Sequence, residues 1–334
     1  MRLPPFDYER PETLDQALKI KESFGNSALV MAGGTDLVVN LKHRLLSPSV
    51  VLSLNRIPAL QEIQITHDAL VIGAAAPLAK VADHDAVRQH FPVLRDAIRA
   101  IGALTIQHYR GTLGGNICSL PRCIFYNQSL FWRTSKGLCH RTGGRDCLAL
   151  PGSSSCQSIC SGDAVPVLAA LSAQTVLTSY RGSRTVALVD LFSGKGESYL
   201  NIAPEEILTE IRVPLPWGRL AASFQKIAFR SAVDFPLVNA AAAAYFEDGK
   251  VAAMRVALSA CGPRPLVVKD AEALAKGAAP SEDILPEVQR AASKLAEGVV
   301  IENSVASKDY RVRMAGVAVK RAVRAALGLP SVTA

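Results

Sequence analysis

No apolar run in the chain approaches the roughly 20 residues that span a bilayer; its most apolar stretches, residues 165–171 and 240–246, are far shorter. The opening residues lack the apolar segment of about 7 to 15 residues that a secretory signal needs, and prolines at positions 4 and 5 interrupt them. No helix-turn-helix, RNA-binding signature or block of five or more Lys and Arg residues is found. Nucleic acid is therefore not expected as a partner, although 37 basic residues face 29 acidic ones and the net charge is +8. Neither Gly-x-Gly-x-x-Gly nor a P-loop occurs, which disfavours a Rossmann or P-loop nucleotide site. Internal repeats and low-complexity tracts are missing as well. These absences point to a cytoplasmic globular protein with no membrane segment, for which an acidic protein is the better partner.

Cysteine is scarce everywhere but in one place. Six of the seven cysteines lie between Cys118 and Cys160. Without a signal peptide, such clustering indicates a metal or redox site and not a disulfide framework. At 334 residues the chain is long enough for two packed units, and its 49% hydrophobic and 20% charged composition is that of a folded enzyme.

Local signals set out the order of elements. Thr13 and Gln16 form a capping box for a first helix that Gly25 ends. Residues 28–31 read as a strand stopping at Gly33 and Gly34, followed by a helical pattern at Leu37, Leu41 and Leu45. Residues 50–53 and 69–72 read as strands, and residues 94–104 have helical spacing. A second glycine turn lies at residues 112–116. Between about residues 120 and 161 Cys, Arg, Ser and Gly replace the periodic pattern, as in a loop insertion. An apolar helix follows from Val165, then strands near residues 175–178 and 207–214. Residues 215–218 are a reasonable domain boundary. Beyond it come a strand at residues 224–229, an Ala-rich stretch at 239–246 and a strand at 251–259 after the Asp248-Gly249 turn signal. Ser307 caps a final helix to about Leu327 with Val312, Ala315, Val319 and Val323 as its apolar stripe, and its Arg and Lys residues read as a solvated face.

The two Gly-Gly segments can each present backbone N–H groups to an anion, since glycine permits positive φ and close approach. Together they could cradle a diphosphate. Four thiolates in the cysteine stretch suit zinc and a 4Fe-4S cluster about equally.

The strings Ala32-Gly-Gly-Thr-Asp-Leu37, Arg110-Gly-Thr-Leu-Gly-Gly-Asn116 and Glu206-Ile-Leu-Thr-Glu-Ile-Arg-Val-Pro214 resemble the FAD-binding (medium) subunit of the xanthine dehydrogenase and carbon monoxide dehydrogenase family. Lys226, Arg230, Asp234 and the closing helix fit that resemblance too. It implies an α+β fold: a two-part FAD-binding domain over residues 1–218, carrying an insertion at about 119–160, followed by a smaller α+β domain over 219–328. It further implies that Leu29, Val30, Met31, Ala32, Gly33, Gly34, Thr35 and Asp36 wrap the FAD diphosphate. Thr112, Leu113, Gly114, Gly115 and Asn116 would form the second half of the cradle. Asp163 would lie near the ribityl chain, with Leu208 and Lys226 near the isoalloxazine ring.

Ordinary members of the family pass from Gly-Gly-Asn to the Ser-x-Asp segment quickly, whereas Asn116 and Asp163 lie 47 positions apart here. The inserted stretch resembles that of the 4-hydroxybenzoyl-CoA reductase branch, which implies a 4Fe-4S cluster on Cys123, Cys139, Cys147 and Cys156, with Cys160 as a spare. By the same resemblance the chain is an oxidoreductase electron-transfer subunit in a dimer of heterotrimers. Its partners would be a small subunit with 2Fe-2S clusters and a large one with a molybdenum cofactor, and a ferredoxin would be the external carrier. Substrate chemistry would occur on the large subunit, so no catalytic residue is expected here. The alternatives are a xanthine-dehydrogenase-type or other aromatic or heterocycle hydroxylase subunit using NAD or another acceptor, and, in another class, a zinc-stabilised binding protein.

Overall fold

A computed structural model describes residues 2–330. Its first helix, α1 (Leu14–Phe24), begins as the capping box requires: the Thr13 hydroxyl accepts the Gln16 N–H, and the Gln16 amide oxygen accepts the Thr13 N–H. Gly25 ends it at φ 48°, a left-handed conformation that costs glycine little. Strands β1 (Asp7–Glu9), β2 (Ala28–Met31) and β3 (Val50–Ser53) form a parallel sheet in the order β1-β3-β2. Every residue of the central β3 is buried, as an apolar run covered on both faces should be.

Between β2 and β3 the chain turns through Gly33 and Gly34 into α2 (Leu37–Lys42). This helix is shorter than its apolar spacing suggests: Arg44 sits at φ 53°, so Leu45 lies beyond it. The helix expected over residues 94–104 is also trimmed, spanning Pro92–Arg99, and Gly102 follows at φ 53°.

β4 (Ile63–Ile65), β5 (Ala69–Gly73), β6 (Gln174–Ser179), β7 (Gly182–Ala187) and β8 (Ile207–Pro214) make an antiparallel sheet in the order β4-β5-β8-β6-β7. The long crossing from β5 to β6 contains both the second glycine segment and the cysteine stretch. Among the described residues that stretch has one short α-helix, Leu130–Lys136, and one 3-10 turn, His140–Thr142; the rest is irregular, as an insertion should be.

β9 (Arg219–Ala228), β10 (Pro236–Glu247), β11 (Lys250–Ser259) and β12 (Leu266–Val267) form the last sheet, order β12-β11-β10-β9, antiparallel throughout. The Ala-rich stretch is the buried strand β10. Alanine favours helix in isolation, but here the fold overrides it. Ala241, Ala243 and Tyr245 face the core of the five-stranded sheet, whereas Ala240, Ala242, Ala244 and Phe246 face the core of the C-terminal helices. Small side chains on both faces let the two layers close on one strand. The Asp248-Gly249 hairpin turn has φ of 48° and 75°, as a type I′ turn demands.

The final helix, Lys308–Ala326, packs on helix Leu285–Glu297 and on β9 and β10. Its stripe is as expected, with Ala315, Val319 and Val323 fully buried and Val312 packed beside them. The reading of its cations as a solvated face fails at Arg311, which is 0% exposed. The Arg311 guanidinium donates to the carbonyls of Leu237, Ala260 and Ile301, tying the starts and ends of three segments together. No helix among the described residues is long and apolar enough to cross a membrane.

Candidate cofactor site

A cavity of about 980 Å³ opens between the parallel sheet, residues 101–120 and the connection from β9 to β10. That is at the upper end of the ~300–1,000 Å³ usual for ligand pockets. Leu29, Val30, Met31, Ala32, Gly33, Gly34, Thr35 and Asp36 all line it, as do Thr112, Gly114, Gly115, Asn116, Asp163 and Leu208. Two expected residues do not. Leu113 points into the core, and Lys226 lies behind the wall.

The two glycine segments meet backbone to backbone. A Cβ on Gly33 would fall 1.5 Å from the Arg110 carbonyl oxygen, and one on Gly114 would fall 2.6 Å from that of Ala74. Gly34 turns the chain at φ 73°. The segments differ, however, in what they offer an anion. Residues 112–116 form not an open turn but the start of a short helix, Leu113–Ile117, capped by the Thr112 hydroxyl on the Gly115 N–H at 3.0 Å. The N–H groups of Leu113, Gly114 and Asn116 are taken by Ala76, Ala74 and Thr112 carbonyls. By contrast, among the described residues no protein acceptor meets the N–H groups of Gly33, Gly34, Thr35 and Asp36, all on the cavity wall. Unpartnered amides in a concave turn suit a diphosphate. This donor set fits a flavin dinucleotide through the first segment, with the second supplying a close-packed floor.

An acidic residue beside a phosphate would repel it, and the structure removes that objection. The Asp36 carboxylate accepts from the Leu120 N–H (3.1 Å) and the Asn40 amide (2.9 Å) and pairs with Arg122. The Arg122 guanidinium also lies 4.9 Å from the Phe235 ring centroid. Ser119, Leu120 and Arg122 line the cavity, so the start of the inserted stretch is part of its wall.

At the opposite side Asp163 is 5% exposed and accepts from the Lys226 ammonium (2.9 Å) and the Asn239 amide (2.8 Å). Burial pushes its carboxyl up, and Lys226 and Asn239 oppose that shift. Lys226 also donates to the Ala100 carbonyl at 2.8 Å, which joins the last sheet to the cavity wall. Tyr199, Glu197 and Arg230 also line the cavity, and of these only Arg230 lies in a segment singled out in the sequence. The Tyr199 hydroxyl donates to the Cys118 carbonyl at 2.7 Å.

The inserted stretch is closed at its base by paired hydrogen bonds between Arg122 and Ile159, 2.9 and 2.8 Å. Tyr126 anchors it, 5% exposed, with its hydroxyl on the Leu45 carbonyl and the Arg141 guanidinium 3.8 Å from its ring centroid. Leu130 and Phe131 in the same stretch are exposed, at 53% and 86%.

Cys123, Cys147 and Cys156 lie close enough that ionising one raises the pKa of another; burial pushes Cys123 up to about 11 and Cys156 in the same direction. The His140–Thr142 turn, which follows Cys139, packs against Gly196–Ser198, and that segment is bonded to Cys156. Among the described residues no three His, Cys, Asp or Glu side chains close around a single ion. A four-iron cube holds its thiolates farther apart than one ion does, and four cysteines without histidine are its usual donors. Binding of such a group would release thiol protons. The other cysteines face elsewhere: Cys160 and Cys261 are buried in the two main cores, each pushed up to about 12, and Cys118 lines the cavity. The His140 Nε2 lies 2.9 Å from the Ser153 carbonyl oxygen.

Comparison with known proteins places this geometry. Residues 4–216 match the family described as the FAD binding domain in molybdopterin dehydrogenase, and residues 223–326 match the CO dehydrogenase flavoprotein C-terminal domain. The chain is 27% identical over 324 residues to the caffeine dehydrogenase subunit beta of Pseudomonas sp. (strain CBB1), covering 97% of this chain and 95% of that one. It is 26% identical over 276 residues to the nicotinate dehydrogenase FAD-subunit of Eubacterium barkeri, covering 82% and 80%. Among solved structures, a chain of carbon monoxide dehydrogenase from Hydrogenophaga pseudoflava superposes with TM-score 0.80 and 26% identity, covering 98% of this chain and 99% of that one. Matched in order by both family models over most of its length, the chain belongs to the FAD-binding medium subunits of the molybdenum hydroxylase and carbon monoxide dehydrogenase family.

Proposed function

We propose that this chain is the FAD- and 4Fe-4S-carrying electron-transfer subunit of a heterotrimeric molybdenum enzyme of the 4-hydroxybenzoyl-CoA reductase type, built from units at residues 1–218 and 219–328. It would pass electrons between an external carrier such as a ferredoxin and partner subunits holding 2Fe-2S clusters and the molybdenum cofactor. The observation that carries this reading is the four-cysteine insertion, whose base forms one wall of a cavity suited to a dinucleotide. FAD, once bound, would exchange electrons with the cluster. The chain's own part is placement: Gly33 to Asp36 hold the diphosphate, Arg122 neutralises Asp36, and Asp163 with Leu208 borders the inner end. Arg122, Arg133, Lys136, Arg141 and Arg145 against a single Asp146 make the insertion cationic, which favours both an anionic cluster and an acidic carrier.

Metal analysis tests this. Protein purified without oxygen should contain about four irons and about four acid-labile sulfides per chain, the composition of one 4Fe-4S cluster. One zinc per chain, with no sulfide, would replace the redox role of the insertion with a structural one.

A further inference from the structure

One short segment belongs both to the cavity and to the cysteine cluster. The Gly196 N–H donates to the Cys156 carbonyl and the Glu197 carboxylate accepts the Cys156 N–H, each at 2.9 Å. The two residues thus grip Cys156 by both of its backbone groups. The fit is close: a Cβ on Gly196 would lie 2.7 Å from Cys156 Sγ. Glu197 also lines the dinucleotide cavity, together with its neighbours Ser198 and Tyr199.

We propose that Glu197 is a positioning residue that fixes Cys156 against the cavity wall and lowers the reduction potential of the cluster this cysteine holds. The proposal rests on the reading of Cys123, Cys139, Cys147 and Cys156 as cluster ligands. Reduction adds an electron to a group that four thiolates already make anionic. A fixed carboxylate beside one ligand opposes that addition, and by engaging the Cys156 N–H it keeps an amide donor from the cluster sulfurs. The cations of the insertion act the other way. Glu197 therefore sets a limit on how far the basic loop raises the potential. A lower potential favours electron flow from cluster to flavin.

Ser158 supplies an internal comparison. Its hydroxyl lies 3.2 Å from Cys156 Sγ and its N–H donates to that sulfur at 3.4 Å. Once Cys156 is a thiolate, the hydroxyl donates too and stabilises negative charge. Glu197, through the Cys156 N–H, and Ser158, through its Sγ, thus act on one cysteine with opposite sign.

The test is a redox titration of the anaerobic holoprotein followed by electron paramagnetic resonance, with iron and flavin content measured on the same samples. Glu197→Gln keeps an acceptor for the Cys156 N–H and removes the charge. It should retain iron and FAD and shift the ratio of reduced to oxidised cluster about tenfold toward reduced, or about 59 mV upward for a one-electron couple. Ser158→Ala should shift it downward. If both variants keep iron and neither moves, or both move the same way, the proposal is overturned while the cluster reading stands. Loss of iron from Glu197→Gln alone would assign the residue a purely structural role and overturn the tuning. Unsubstituted protein without iron would overturn the cluster reading itself.

Discussion

Replacing Gly33 with alanine should yield protein that purifies without flavin. The added methyl would sit 1.5 Å from the Arg110 carbonyl oxygen and 2.3 Å from its carbon. Both obstacles are backbone, so no rotamer change relieves the clash, and the two glycine segments must part. The unpartnered amides of residues 33–36 then lose the floor against which they are aimed. Gly34 is the comparison. It holds φ 73°, and its methyl would meet only the Met31 and Val38 side chains at 3.3 Å. Alanine there costs about 1–2 kcal/mol of left-handed strain, a loss of folding stability common to the flavin-free and flavin-bound protein, so flavin content should stay near that of the unsubstituted protein. The ratio of flavin to protein absorbance separates the two variants, with circular dichroism to show that both are folded. Full flavin content in Gly33→Ala would mean that the close approach of the segments is unimportant.

The second large effect is expected far from the cavity. Arg311→Met keeps most of the apolar stem of a fully buried side chain and deletes every donor that serves the Leu237, Ala260 and Ile301 carbonyls. Each buried acceptor left unpaired costs about 1–3 kcal/mol, so the three together should remove several kcal/mol and lower the Tm by on the order of 10 °C. Arg311→Lys should recover only part of this, because one ammonium cannot reproduce the planar fork. A thermal melt unchanged within a degree would show that the carbonyls find other partners.

What could be read from the sequence was mostly local. The capping box of α1, the hairpin turn at Asp248-Gly249 and the Ser307 cap involve partners at most four residues apart, and the residue types alone specify them. The glycine turn at Gly33 and Gly34 was legible for the same reason. What was hidden depends on distant partners: Arg122 reaches Asp36 from 86 positions away, Tyr199 reaches Cys118 from 81, and Glu197 reaches Cys156 from 41. None of these lies in a motif. Arg122 stands at the start of the irregular inserted stretch with no local signal of its partner, yet it forms part of the cavity wall. Arg311 did leave a signal, since Ala315, Ala318 and Ala322 follow it at helical spacing on the buried face. The strand β10 ran against propensity because burial on both faces, which only the assembled fold supplies, outweighs alanine's preference for helix.

On the proposed reading the cavity holds a dinucleotide by the amides of Gly33 to Asp36. The most direct measurement is the identity and amount of flavin released when the purified protein is denatured. One FAD per chain is expected, reduced in amount when Gly33 carries a side chain. Release of FMN, or of no flavin at all from folded protein, would contradict it.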